Sequence, residues 1–248
     1  MKAIILAAGY ATRLYPLTLN WPKALLKVNS KPIVEYIVNR LKTIEEIDGI
    51  IIVTNNKFYI HFEKWLEKIN SDKKIKLIND LTSSEENRLG AIGDLNFAIQ
   101  ENNLDADILV VAGDNLFNFD LKEFIKFAKG KPGITIGVYD IKDINKANKF
   151  GVIEMDSLNQ ITKFVEKPEK PFSTLIGTGI YFIPKSALGF IKAYLEKDNH
   201  PDVLGCFLEY LLEKKVSFWG YRLSGNWFDI GDFEVYKIAK EHFSKERS

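Results

Sequence analysis

Four short stretches hold side chains that could do chemistry. The first, GYATRLYPLTLNWPK, runs from Gly9 to Lys23 directly after an apolar segment. It offers backbone N–H groups near Gly9, the Thr12 hydroxyl, and two cations, Arg13 and Lys23. That mixture suits a polyphosphate. A Rossmann turn is excluded, because G-x-G-x-x-G is missing and Pro16 and Pro22 follow the single Gly9. A P-loop is excluded because no G-K-[ST] occurs. The second stretch is ILVVAGDN, with Asp114 just past a strand-like run. Hard cations such as Mg²⁺ take one or two carboxylates plus phosphate oxygens. The third is FVEKPEKP, with Glu166 and Lys167 ahead of Pro168. The fourth is NWFDIGD, where Asp229 is a candidate second metal ligand and Asp232 reads as the N-cap of the next helix. Singly, each has a plainer reading: a tight turn at Gly9, solvated charges at Arg13 and Lys23, a capping Asp114, a charged turn at Glu166-Lys167.

Other chemistries lack their residues. His61, His200 and His242 have no second His or Cys at ligand spacing, which argues against zinc. Both His61 and His242 fall in helical segments and are expected on the surface. No G-x-S-x-G elbow is present. The 34 basic and 33 acidic side chains leave a net charge of +1, so no global field favours nucleic acid or an anionic membrane. The aromatics are not interleaved with a basic patch. They suit core and subunit contacts, with Trp219 a candidate for the latter. Cys206 is alone and reads as a small buried apolar residue. No run nears the roughly 20 apolar residues of a membrane helix. The start, MKAIILAAG, has too short an apolar run for a signal peptide. A cytoplasmic protein is expected.

The elements that must position these residues follow from apolar spacing. The 248 residues are 46% hydrophobic and 27% charged, enough for one large core. Ala3–Ala8, Gly49–Val53, Ile75–Ile78 and Asp107–Ala112 read as buried strands. Between them, a helix starts near Ser30 and Pro32, a second carries Phe58, Phe62 and Trp65, and a third spans Ala91–Gln100. Asn79–Gly90 is a long polar loop of the kind that is often functional. This alternation implies βαβ units and a parallel sheet. No element is assigned between Ala112 and Gly133. Beyond it, GITIGVYD, FGVIEMD, QITKFVEK and LIGTGIYFIP are closely spaced strands, some pairing antiparallel. Helices near Ser186–Leu195 and Val203–Glu213, a strand at Val216–Tyr221 and a helix from Phe233 complete the chain.

In this order the motifs resemble the sugar-1-phosphate nucleotidyltransferases, the NDP-sugar pyrophosphorylases, and within them the glucose-1-phosphate thymidylyltransferase branch. That family opens with a strand and G-x-G-T-R, then Pro-Lys, matched by LAAGYATRLYPLT and Pro22-Lys23. Its G-D is Gly113-Asp114, its E-K-P is Glu166-Lys167-Pro168, its G-I-Y is Gly179-Ile180-Tyr181, and its D-x-G is Asp229-Ile230-Gly231. Three positions depart. Ala11 stands where a second Gly is usual, and a left-handed backbone there would be strained. Phe150 replaces a common Tyr, and RLGAIGDL matches the base-recognition L-G-T-A only through Leu89, Gly90 and Ala91.

The resemblance implies a single Rossmann-like three-layer α/β/α domain over 1–248 with a mixed, mainly parallel sheet. Residues 1–130 would bind nucleotide and 131–248 the sugar phosphate. It implies Mg²⁺-dependent transfer of a nucleotidyl group from an NTP, dTTP or UTP favoured, to a sugar-1-phosphate, glucose favoured. Ala8, Gly9, Thr12, Arg13, Lys23, Leu89, Gly90 and Asp114 would contact the nucleotide. Asp114 and Asp229 would hold the metal, and Gly151, Glu166, Lys167 and Thr178 the sugar phosphate. Arg13, Lys23 and Lys167 would be catalytic. A homo-oligomer fits the family, and a C-terminal repeat domain is not expected. Two alternatives stand beside it: a cytidylyltransferase for a non-sugar phosphate such as phosphocholine, and a catalytically silent sensing module.

Overall fold

The chain opens on β1 (Lys2–Leu6), the apolar run of the sequence stopped at Leu6. The structure is a computed structural model and describes residues 1–197, 201–202 and 204–245. After β1 comes an irregular loop holding two single 3₁₀ turns, Thr12–Leu14 and Lys23–Leu25. A small hairpin follows, β2 (Lys27–Val28) and β3 (Lys31–Pro32). Ser30 therefore lies in the hairpin turn and does not start a helix. That role falls to Pro32, which caps α1 (Ile33–Lys42) with φ already near the helical value.

The βαβ reading holds. β4 (Gly49–Thr54), α2 (Tyr59–Leu66), β5 (Ile75–Asn79), α3 (Gly90–Glu101) and β6 (Ile108–Ala112) follow in order. β1 pairs in parallel with β4 and with β6, and β4 with β5. Two elements then fill the unassigned segment, β7 (Asn115–Phe117) and α4 (Lys122–Lys129). Next come β8 (Ile134–Asp140), β9 (Gly151–Met155), β10 (Ile161–Glu166) and β11 (Leu175–Ile183). β11 is antiparallel to β6, β8 and β9, and β10 to β9. The chain closes with α5 (Leu188–Leu195), α6 (Leu204–Glu213), β12 (Phe218–Arg222), β13 (Trp227–Asp229) and α7 (Phe233–Lys245). β12 runs parallel to β8, and β13 pairs antiparallel with β7 outside the main sheet.

The main sheet has the path β10-β9-β11-β6-β1-β4-β5, with β8 and β12 branching from β11. Its two faces are buried separately. One packs Val34 and Ile37 of α1, Phe62 and Trp65 of α2, and Phe124 and Ile125 of α4. The other packs Ile92 and Leu95 of α3, Ile191 and Tyr194 of α5, and Phe207 and Leu211 of α6. These are the expected three layers. A third cluster joins Ala239 and Phe243 of α7 to Leu14, Val28, Leu116 and Ile230. It ties α7 to the loop after β1. β1, β4, β5 and β6 end together, and open α/β sheets bind ligands at that edge. Among the described residues no helix is long and apolar enough to cross a membrane.

Candidate active site

The Gly9–Lys23 loop is held from beneath. Ala7 donates its N–H to Val53 O (2.8 Å), and the buried Asn55 amide donates to Ala8 O (2.7 Å). Gly9 is exposed, with no atom within 4 Å of where a side chain would begin. Ala11 adopts the left-handed conformation, φ 51°. The buried Thr18 hydroxyl donates to Ala11 O at 2.7 Å and clamps it. Each 3₁₀ turn places one cation: Arg13 beside the buried Leu14, and Lys23 beside the buried Ala24 and Leu25.

Lys23 Nζ lies 2.6 Å from Asp114 Oδ2. Burial pushes the Asp114 carboxyl up. The Lys23 charge, with hydrogen bonds from Lys23 and Asn115, outweighs it and holds Asp114 below the ordinary carboxylate range. Asp229 reaches the same place through the β7–β13 ribbon, where it is in register with Asn115. Ile230 donates its N–H to Asp114 O at 3.1 Å. Burial first, and then the Asp114 charge, raise Asp229 to about 7, while Lys23 and Arg13 pull it down. Asn115 holds the centre: its amide nitrogen donates to Asp114 Oδ1 (3.2 Å), and its amide oxygen accepts from the Trp227 indole. Arg13, Lys23, Asp114 and Asp229 thus converge at the strand edge.

The loop leading into α3 has its own scaffold. Gly90 is buried with φ +75°, and a Cβ there would stand 2.6 Å from the Pro201 carbonyl oxygen. Ile92 donates its N–H to that oxygen at 2.8 Å. Arg88 forks onto Asp202, Nε–Oδ1 2.9 Å and Nη2–Oδ2 2.5 Å. Leu89 is half-buried beside them. Beneath this loop lies a buried polar cluster that sequence reasoning missed. Asp80 Oδ1 accepts from Thr82 N (2.7 Å) and Thr82 Oγ1 (2.8 Å), and Thr82 Oγ1 lies 3.1 Å from the Tyr10 hydroxyl. Asp94 is pushed up to about 8, by burial first and the Asp80 charge next.

On the other side, Lys167 follows the end of β10 with φ 44°, its N–H donating to Phe150 O (3.0 Å). Its ammonium lies 3.4 Å from the Glu166 carboxylate and is exposed. Burial raises Glu166, and the Lys167 charge opposes that. A Cβ on Gly151 would come within 3.0 Å of Glu166 Oε2. Phe150 joins the two groups, its ring centroid 5.7 Å from that of Trp227. Thr178 is buried and its hydroxyl donates to Gly137 O (2.8 Å), a bond internal to the sheet.

Several expectations need correction. His61 is half-buried, its ring 4.7 Å from that of Trp21. His242 is half-buried against Phe228. Cys206 is half-buried rather than buried. Trp219, the candidate for a subunit contact, is half-buried, with Lys131 over its ring and its indole donating to Pro132 O. His200 and Val203 lie outside the described residues. Asp232 does cap α7, accepting from Val235 N at 2.9 Å.

Comparison with known proteins now gives the class. The model of the nucleotidyl transferase family matches residues 2–246, and the chain belongs to that family. It is 31% identical over 232 residues to the bifunctional protein GlmU of Methanocaldococcus jannaschii, covering 93% of this chain and 51% of that protein. It is 30% identical over 246 residues to mannose-1-phosphate guanylyltransferase 1 of Arabidopsis thaliana, covering 95% of this chain and 63% of that one. The chain therefore spans between about half and two thirds of these relatives. Its fold matches UDP-glucose pyrophosphorylase complexed with UDP-glucose, TM-score 0.82 at 20% identity, over 99% of this chain and 98% of that one.

Proposed function

We propose that this protein transfers a nucleotidyl group from an NTP to a sugar-1-phosphate and releases pyrophosphate. One observation carries the reading: two cations and two carboxylates from three separate segments meet at the edge where β1 and β6 end. A sugar-1-phosphate oxygen is already anionic at neutral pH and attacks the α-phosphorus directly. The protein must then align two anions and offset their charge. Arg13 and Lys23 would hold the triphosphate and the leaving pyrophosphate, and Lys167 the acceptor phosphate. Glu166 would accept hydrogen bonds from sugar hydroxyls.

The donor set fits Mg²⁺. Asp114 and Asp229 are neighbouring carboxyls, and Asp229 is raised by burial first and by the Asp114 charge next. A hard cation bound by one or two carboxylates completes its shell with water and phosphate oxygens. Asp114 and Asp229 would hold such an ion, which would supply positive charge to screen the reacting anions.

Glucose-1-phosphate with dTTP or UTP is the favoured pair, and the name of the Arabidopsis relative adds mannose-1-phosphate and a guanylyl donor. The test is a matrix of ATP, CTP, GTP, UTP and dTTP against glucose-, galactose-, mannose- and N-acetylglucosamine-1-phosphate, with phosphocholine as a further acceptor, read as pyrophosphate release. A signal lost with EDTA and in Asp114→Ala supports the reading. Release only with phosphocholine as acceptor, or none at all, overturns it.

A further inference from the structure

A helix from another part of the chain holds the Glu166 backbone and lies directly against its carboxylate. Glu166 is the last residue of β10, an edge strand of the sheet. Its N–H donates to Glu209 Oε1 of α6 at 2.9 Å. One turn earlier on α6 stands Gly205, and residues four apart share a helix face. A Cβ at Gly205 would lie 2.0 Å from Glu166 Oε2 and 2.6 Å from Cδ. The carboxylate therefore occupies the space that any larger residue at 205 would fill. The space over Gly151 of β9 is taken first by the Phe164 ring, with the same Glu166 oxygen 3.0 Å from where a Cβ would stand. Glu209 also brings a like charge toward Glu166, which Lys167 offsets. An edge-strand N–H could have been satisfied by water at no such electrostatic cost.

We infer that Gly205 and Glu209 are positioning residues for Glu166, fixing its carboxylate in one orientation toward the acceptor's hydroxyls. This rests on the reading of the site as a sugar-1-phosphate nucleotidyltransferase. Glu209 holds the backbone at the strand end, and Gly205 gives the side chain its place. Neither touches the substrate. The arrangement also makes the subsite carboxylate-lined. It suits a hydroxyl-rich neutral sugar and repels one that carries its own carboxylate.

The test uses the full chain and the wild-type substrate pair found in the matrix. Glu209→Ala and Gly205→Ala are expected to raise KM for the sugar phosphate about tenfold, the effect of one lost charge-assisted hydrogen bond. KM for the nucleotide should stay at its wild-type value. Glu209→Gln should restore the sugar-phosphate KM, because its amide oxygen still accepts the Glu166 N–H. A purely structural role would instead lower Tm and move both KM values together, and that result overturns the inference. So does an unchanged sugar-phosphate KM in both variants. Should Glu209→Ala fail to fold, Gly205→Ala decides alone, since the added methyl displaces a flexible side chain. A wild-type protein inactive across the matrix overturns the underlying reading, a failure seen before any variant is made.

Discussion

Lys23 and Asp114, 91 positions apart in the chain, meet at 2.6 Å in a half-buried ion pair. The pair neutralises two groups that the proposed reaction would need charged. A triphosphate entering the loop would compete for the ammonium and leave the carboxylate to a cation. Lys23→Ala removes a preorganised charge and leaves Asp114 beside Asp229 with no counter-charge from Lys23. A loss of about 10²–10³ in kcat/KM is expected, as for other preorganised donors. Initial rates at saturating sugar phosphate check it; a loss below tenfold would place Lys23 outside the reaction.

Lys167 separates from this pair in its effect. Its ammonium is exposed and 3.4 Å from the Glu166 carboxylate, and on the proposed function it would meet the acceptor phosphate. Lys167→Ala should cost about 1.5–3 kcal/mol of transition-state binding, roughly ten- to a hundredfold in kcat/KM. The loss should appear against the sugar phosphate, with the nucleotide KM unchanged. Steady-state kinetics with each substrate varied in turn reads the split.

Ala11 stores backbone strain in a loop that must hold two cations in place. A left-handed alanine costs about 1–2 kcal/mol, and glycine would lose about 0.5–1 kcal/mol in chain entropy. Ala11→Gly should therefore stabilise the protein by up to about 1 kcal/mol, measured by urea denaturation. A lower midpoint would show that the Thr18 clamp already offsets the strain.

Asp94 predicts a pH dependence of stability. Its carboxyl is raised from 3.8 to about 8 in the fold, by burial and then by Asp80. Between these values the folded state keeps a proton that the unfolded chain releases. Stability from this group is full below about pH 4 and is lost as pH rises toward 8, at no more than about 1.4 kcal/mol per pH unit. Asp94→Asn imitates the protonated form and should flatten that slope. Denaturation midpoints of both proteins from pH 5 to 8 give the comparison; parallel slopes would remove Asp94 as the cause.

Much of the site was legible in the sequence because its residues sit where elements stop. Arg13, Asp114, Lys167 and Asp229 each follow or end an apolar run, and a charge at a strand end is readable from local pattern alone. The β7–β13 ribbon was not. Three residues are too few to show a period of two, and their pairing spans more than a hundred positions. α4 carries Phe124, Ile125 and Ala128 at helical spacing, a signal present but left unassigned. Asn115, Asn55, Glu209 and Gly205 escaped notice because a single amide, acid or glycine gives no pattern until its neighbour is known.

The sequence by itself determined the alternation of strand and helix, the parallel half-sheet and the inventory of charges, all functions of near-neighbour spacing. The tertiary structure alone decided which charges meet. Lys23 pairs with Asp114 because a loop folds back over a strand end, and Asp229 joins them because an off-sheet ribbon closes there. Glu166 is aimed by a helix more than forty residues downstream. Such contacts depend on long-range packing and desolvation, and those terms exist only once the chain has folded.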